Sequence, residues 1–418
     1  MSAPAQAAPA QTAPAQVAHA SAAPTPAGFS SALSASLRAE VDQVAAVAAR
    51  HAADYDDRAE FPVAVLDALR PRLLGLLVPT RYGGPGGSVD DLVDVTIELG
   101  RADMSTAMVF AMHCQQVAAI AGHAGPRLAA ELLPEIAAGR MYLASVTTEA
   151  GKGGHLMSAR AELGARDGLL EIDRFAPVVT GGLHADGYLI TMRSPQARSD
   201  GEISLVFARR DQVEVAQRGS WNPLGMRASH SIALQLTGRV PEDHVIGEHG
   251  AFRRIAMNTF GPLAHLGWSA AWLGTASGAL ARVVSVLRGP DRSRSDFSSE
   301  LLLTRLSTAR QRLDTVHAMV RYTAGAVRRA VEEDADLSHP RHQLLVNALK
   351  LTASEQCHRA IDDLVTALGM RHGYLKDSPT GLERALRDLR SAALNYSNDR
   401  LHLADGRLTL LDQEVRYA

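Results

Sequence analysis

Between Ser31 and Arg140, apolar residues recur every three or four positions, the spacing of helices with one buried face. LRAEVDQVAAVAARHAADYDDRAEF opens this region and FPVAVLDALRPRLLGLLVP follows it. The stretch TRYGGPGGS then breaks the pattern, because clustered Gly and Pro favour a loop. Ser88 stands where a hydroxyl can cap the next helix, and Asp90 and Asp91 suit the positive end of its dipole. Past Arg140 the pattern changes. GLLEIDRFAPVVTGG, ADGYLITMR, ISLVFARR and IALQLTGRV are short, apolar-rich runs between Gly, Asp and Pro breaks, and they predict strands of a compact β domain. From Ala251 helical spacing returns. Long runs over Glu300–Ala330, Gln343–Leu368 and Leu382–Leu411, joined by short connections, predict an antiparallel bundle.

The pattern therefore predicts a mixed α and β chain, mainly α. Its parts are a tail over 1–30, a helical domain over 31–140, a β domain over 141–250 and a helical bundle over 251–418. A length of 418 residues agrees with several domains, since single cores stop growing at roughly 250–300 residues. The first 28 residues contain no Lys, Arg, Asp or Glu and are rich in Ala and Pro, a composition that predicts disorder and lacks the basic start of a secretory signal. A net charge of −2 gives no footprint for nucleic acid or an anionic membrane. No apolar run is expected to span a bilayer. The two cysteines, Cys114 and Cys357, are too few for a disulfide framework and fit a cytoplasmic setting.

Candidate chemistry is thin when taken piece by piece. LASVTTEAGKGGH combines hydroxyls with a glycine loop whose N–H groups suit phosphate or a ring carbonyl, but it lacks the Gly-Lys-Ser/Thr ending of a nucleotide loop. WNPLGMRASHS places Arg227 and Ser229 in a turn before a strand. The histidines are scattered, so no metal site is expected. Trp268 and Trp272, four residues apart, fit core packing.

Taken in order, seven segments resemble the acyl-CoA dehydrogenase superfamily over nearly everything after the tail. They are FPVAVLDALRPRLLGLLVPTRYGGPGGS, ELGRADMSTAMVF, VTTEAGKGGH, VVTGGLHADGYLITMR, WNPLGMRASHS, RSRSDF and GYLKDSPTGLERALRDLR. The resemblance implies an N-terminal helical domain, a middle β-barrel and a C-terminal four-helix bundle. It also implies a homotetramer or dimer with FAD between barrel and bundle, or FMN in a monooxygenase. An electron-transfer flavoprotein or a flavin reductase would be the redox partner. Matched by position, Thr147, Thr148 and Gly153 belong to the flavin-contacting segment, and Val179 and Thr180 to the flavin edge. Val178 replaces a common ring-shielding tryptophan. Arg294 and Phe297 match a pair that reaches the flavin of a neighbouring subunit, and Gly373 matches a glycine turn near the adenine end. Arg227 and His155 are the substrate-side candidates.

Dehydrogenation of an acyl thioester in this family needs a carboxylate to remove the α-proton. The matching position here is Tyr396, and the alternative position on an earlier helix is Ala264, beside His265. Neither is a carboxylate, and a phenol of pKa near ~10 is a weak base at neutral pH. Tyr396, Asp399 and His265 are the candidates for an unusual catalytic group. The expected activity is α,β-dehydrogenation of a CoA- or carrier-bound acyl group with an atypical base; the alternatives are flavin-dependent monooxygenation, which needs no such base, and a non-catalytic paralogue. GMRAS and RSRSDF favour dehydrogenation, and the two missing carboxylates favour monooxygenation.

Overall fold

Helix α1 (Ala35–Arg58) begins where the Ser34 hydroxyl accepts from the Leu37 N–H, and it ends on Ala59 in a left-handed turn. This and the rest of the fold are read from a computed structural model that describes residues 33–151, 156–289, 297–412, 414 and 415. The expected tail lies outside the described residues. Helices α2 (Val63–Leu69), α3 (Val89–Ala102), α4 (Met104–His123) and α5 (Pro126–Ala137) complete the first helical region. Ser88 caps α3 as expected: it accepts from the Asp91 N–H while the Asp91 carboxylate accepts from the Ser88 N–H, the reciprocal pair that starts a helix cleanly.

The four predicted strands form as β3 (Leu169–Val179), β4 (Gly187–Arg193), β5 (Ile203–Arg209) and β7 (Ile232–Pro241). Four further strands join them: β1 (Leu143–Val146), β2 (Gly164–Arg166), β6 (Val213–Arg218) and β8 (Val245–Ile246). The expected barrel is divided between two four-stranded sheets, ordered β1-β4-β5-β8 and β2-β3-β7-β6. Only β1 and β4 pair in parallel among these strands. In β3 the alternation of exposed and buried residues puts Leu170, Ile172, Ala176 and Val179 in the core. The β3–β7 register shifts between Ala176 and Val179, which re-aims the end of the strand where Thr180 follows.

After the short helix α6 (Phe252–Ile255), the bundle is built from α7 (Gly261–Arg288), α8 (Glu300–Glu332), α9 (Pro340–Gly369), α10 (Leu382–Arg390) and α11 (Asn398–Thr409). The expected single run over Leu382–Leu411 is thus two helices, interrupted at residues 391–397. The interruption contains Tyr396 at φ 49°, a conformation that β-carbon crowding disfavours. One helical run, Phe252–Arg288, is long and apolar enough to cross a membrane, contrary to expectation, yet 61% of its most apolar window is buried inside the protein. It is apolar on most sides because α3, α4, α8 and α9 surround it.

The α3–α7 crossing depends on small residues. A β-carbon at Gly274 would come within 2.2 Å of the Ile97 carbonyl oxygen, and Gly100 faces it from α3. Gly274→Val should therefore force the helices apart and destabilise the protein by about 2 kcal/mol or more. Thermal or urea unfolding measures this, and an unchanged midpoint would refute the tight crossing.

Candidate active site

The edge of the sheets carries the first half of the site. Thr147 and Thr148 follow β1, and both are half-buried. The Thr148 hydroxyl donates to the Val178 carbonyl at 2.7 Å and accepts from the Val178 N–H at 3.2 Å, which sets the spacing between the ends of β1 and β3. Arg174, 1% exposed, locks this corner from below. Its Nη2 donates to the Thr148 carbonyl at 2.7 Å and its Nε to the Thr191 carbonyl at 3.1 Å. Val179 is fully buried in the core, so its side chain is not a cofactor contact, contrary to expectation. Its neighbour Val178 is 43% exposed and supplies the apolar surface instead. Thr180 is half-buried, and its hydroxyl lies 2.9 Å from that of Ser231, which is in turn 2.8 Å from the hydroxyl of Ser229.

The loop 221–231 ties this edge to the bundle. The Gly181 N–H donates to the Ser229 carbonyl at 3.1 Å on one side. On the other side the Met226 N–H donates to the Asp388 carboxyl at 2.6 Å, and the hydroxyl of Ser391 lies 3.0 Å from the Met226 sulfur. Gly225 admits α10 closely: a β-carbon there would meet the Arg387 carbonyl oxygen at 2.1 Å. Arg227, expected to bind substrate, is consumed by the scaffold. Its guanidinium donates to the carbonyls of Asp56, Asp57 and Pro223 and to the Asn222 side chain. Its work is to strap the loop to the end of α1. A cavity of about 10 Å³ beside Asp388, lined by Asp103, Thr275, Arg282 and Arg384, has room for one water and no ligand.

The second half lies on α7, α9 and the 391–397 break. His265 is buried, and its ring centroid is 6.0 Å from that of Tyr396 and 5.8 Å from that of Trp268. Trp268 is followed by Trp272 at 6.5 Å. The His265 Nδ1 and both indole N–H groups are buried without a hydrogen-bond partner among the described residues. Lys350, fully buried on α9, donates to the Tyr396 carbonyl at 3.1 Å and to Asn398 Oδ1 at 2.6 Å. It also lies 5.8 Å from the centre of the Trp272 ring. Ser354 completes the cluster, accepting from Asn398 Nδ2 at 3.1 Å.

The electrostatics of this half are fixed by burial and by two cations. Burial, followed by the charge of Lys350, pushes His265 down to about 3, so its imidazole is neutral. Burial raises the Tyr396 hydroxyl above its ordinary value, with Arg400 pulling the other way. Burial lowers Lys350 to about 8, against the pull of Glu355. Asp399 does not belong here. It is exposed on the first turn of α11, and its neighbour Asn398 is the residue that turns inward.

Gly153, His155 and Arg294 lie outside the described residues. Phe297 is 45% exposed just ahead of α8. Gly373 is buried in the turn after α9, where a β-carbon would meet the Val365 carbonyl oxygen at 2.4 Å. That glycine is required by packing against α9. Sequence reasoning missed Lys350, Asn398 and Arg174. Lys350 alone left a signal, because it sits on the same apolar stripe as Val346, Leu349 and Ala353. A flavin fits the sheet-edge set: exposed Val178 suits a ring face, and the half-buried Thr147 and Thr180 suit its polar edge.

Known proteins give the same fold and sharpen its class, a helical–sheet–helical flavoprotein. The "Acyl-CoA dehydrogenase, N-terminal domain" model matches residues 32–140, and the "Acyl-CoA dehydrogenase, C-terminal domain" model matches residues 266–399. The chain belongs to the acyl-CoA dehydrogenase superfamily, whose members are flavin-dependent oxidoreductases. It is 27% identical over 349 residues to the "Probable acyl-CoA dehydrogenase fadE25" of Mycobacterium leprae, covering 81% of this chain and 85% of that one. It is 24% identical over 184 residues to the "Probable FMNH2-dependent monooxygenase SfnC" of Pseudomonas putida, 44% of each chain. FMN-bound TdsC of Paenibacillus sp. A11-2 superposes with a TM-score of 0.80 at 22% identity, covering 92% of this chain and 98% of that one.

Asp388 gives this site a measurable pH signature. Burial first, and then the charge of Asp103, raises its carboxyl to about 7. The folded chain therefore holds a proton that the unfolded chain has released between about pH 4 and 7, so this group's stabilisation declines as pH rises through that window. Asp388→Asn mimics the protonated form. It should flatten the fall in stability between pH 4 and 7, whereas Asp388→Leu should lose the Met226 contact and melt lower at every pH. Thermal melts across pH test this, and an Asp388→Asn slope equal to wild type would refute it.

Proposed function

We propose that this protein is a flavin-dependent monooxygenase of the acyl-CoA dehydrogenase superfamily. One observation carries the reading. Neither position where the resemblance puts the family's carboxylate holds one: Tyr396 stands at the first, its hydroxyl held protonated, and Ala264 at the second, beside His265, whose imidazole is neutral and weakly basic. The charges acting on these two groups come from Lys350 and Arg400, both cations. Removal of an acyl α-proton is therefore poorly served, while insertion of an oxygen atom needs no carboxylate base.

In this reading the overall conversion takes a substrate C–H or heteroatom, O₂, two electrons and two protons to the oxygenated product and water. Bound reduced flavin supplies the two electrons and the place where oxygen is activated. Thr148 and Arg174 fix the sheet corner that presents Val178 and Thr180, the residues that would hold the ring. The Tyr396 hydroxyl, held protonated by burial, would be a donor for an oxygen-bearing group. The Trp268 N–H offers a second donor, and the buried rings of His265 and Trp272 keep water away. FMN and FAD both suit the donor set, a flavin reductase is the natural electron source, and a cytoplasmic homo-oligomer is the expected form.

A second reading, dehydrogenation of an acyl thioester with an electron-transfer flavoprotein as acceptor, draws on the length and identity of the match to the Mycobacterium leprae relative. Purified protein separates the two. We expect tight binding of reduced flavin and a transient absorbance change on aeration, with no bleaching of oxidised flavin by acyl thioesters under anaerobic conditions. Thioester bleaching would establish the dehydrogenase, and failure to bind any flavin would sink both. Tyr396→Phe should lower oxygenation at least about tenfold with little loss of flavin affinity; an unchanged rate would leave Tyr396 as packing.

A further inference from the structure

We infer that Lys350 is a positioning residue: its ammonium clamps the Tyr396 carbonyl and the Asn398 side chain, and so holds Tyr396 in its left-handed turn with the phenol facing His265. The placement of Tyr396 in the site rests on the proposed function; the clamp itself does not. Lys350 is fully buried in the middle of α9, where an aliphatic residue would continue the stripe of Val346, Leu349 and Ala353. Its two contacts go to neutral oxygens at 3.1 and 2.6 Å on either side of Ser397. Both contacts therefore sit on the three-residue hinge between the 391–397 break and α11. That hinge holds the one non-glycine residue of the break with positive φ, 49° at Tyr396. Extended and right-handed conformations are intrinsically favoured there. Something must hold the carbonyl where it is, and Lys350 is the group that does so in this structure.

The same ammonium faces three aromatic groups. From α7 come Trp272, with its ring centre at 5.8 Å, and His265, whose proton affinity it lowers. From the break comes Tyr396, whose ring is 6.0 Å from that of His265. Glu355, on α9, is the carboxylate acting on Lys350, and it reaches the cluster through Asn398 Nδ2 at 3.5 Å. One side chain thus holds the backbone that carries the phenol and adds its charge to the burial that keeps the opposite imidazole neutral.

The test needs neither substrate nor flavin. In a crystal structure of Lys350→Met we expect Tyr396 to leave positive φ and its ring to move away from His265. In ¹⁵N-histidine spectra of that variant we expect His265 to titrate at higher pH than in wild type. An unmoved Tyr396 in the Lys350→Met structure would overturn the inference. If Lys350→Met does not accumulate as folded protein, glycine at the hinge decides the matter, because glycine adopts positive φ freely. Lys350→Met/Tyr396→Gly should then fold and melt higher than Lys350→Met/Tyr396→Ala, both lacking the phenol. Equal melting of the two double variants would also overturn it, since Lys350 would then be holding something other than the turn.

Discussion

The shortest of the hydrogen bonds that join the two halves of the candidate site is the Met226 N–H donating to the buried Asp388 carboxyl, with Arg387 donating to the Leu224 carbonyl beside it. Met226 lies at φ 52° and Gly225 passes too close to the Arg387 carbonyl for any side chain, so the loop has no relaxed alternative that keeps α10 in place. From that anchor the loop runs to Ser229 and Ser231, which set Gly181 and Thr180. In the other direction, α10 leads into the break that carries Tyr396. Sheet edge and bundle are thus registered through one short loop, held at Leu224 and Met226 by Arg387, Asp388 and Ser391. Burial, and then the charge of Asp103, raises the Asp388 carboxyl to about 7, so below that pH it is mostly neutral, and a neutral carboxyl can still accept this hydrogen bond.

Much of the framework was legible in the sequence because it rests on local periodicity. The Ser88 cap, the four principal strands and the helices over 300–332 and 340–369 all follow from apolar spacing and from the Gly, Pro and Asp residues that end each run. The break at Tyr396 was not legible. The Asn, Ser and Asp of SAALNYSNDRL permit a stop and a new cap at Ser397, but apolar spacing continued across them; the interruption is held by a tertiary contact from Lys350, some 46 residues earlier in the chain. Long-range clamps of this kind leave no periodic trace.

Site residues divide along the same line. Thr148 and Thr180 were findable because family position fixes them at strand ends, and the structure puts both at the exposed corner between the sheets. Arg227 looked like a ligand because a guanidinium near a glycine turn invites that reading. Only the fold reveals that its donors meet the carbonyls that close α1. Asp399 was displaced by one residue of helical phase. A step of about 100° per residue turns Asn398 inward and Asp399 to solvent, and the phase could be set only once the start of α11 was known.

The chemical consequence of this arrangement is a reversal of local charge within a preserved shape. A carboxylate at the position of Tyr396 would sit near Lys350 and Arg400, whose charges would hold it ionised and weaken it as a base. A phenol there avoids that conflict, since it is neutral, keeps a donor proton and suits a cationic surrounding. His265 responds in the same way: buried beside an ammonium, its imidazole stays neutral. Cations behind a neutral, donor-bearing wall favour a bound group that gathers negative charge during reaction, as reduced oxygen does. They disfavour a reaction whose first need is a strong base. The helices and sheets are those of the acyl-CoA dehydrogenase superfamily, and the neutral cluster around Tyr396 is what the proposed monooxygenase reading draws on.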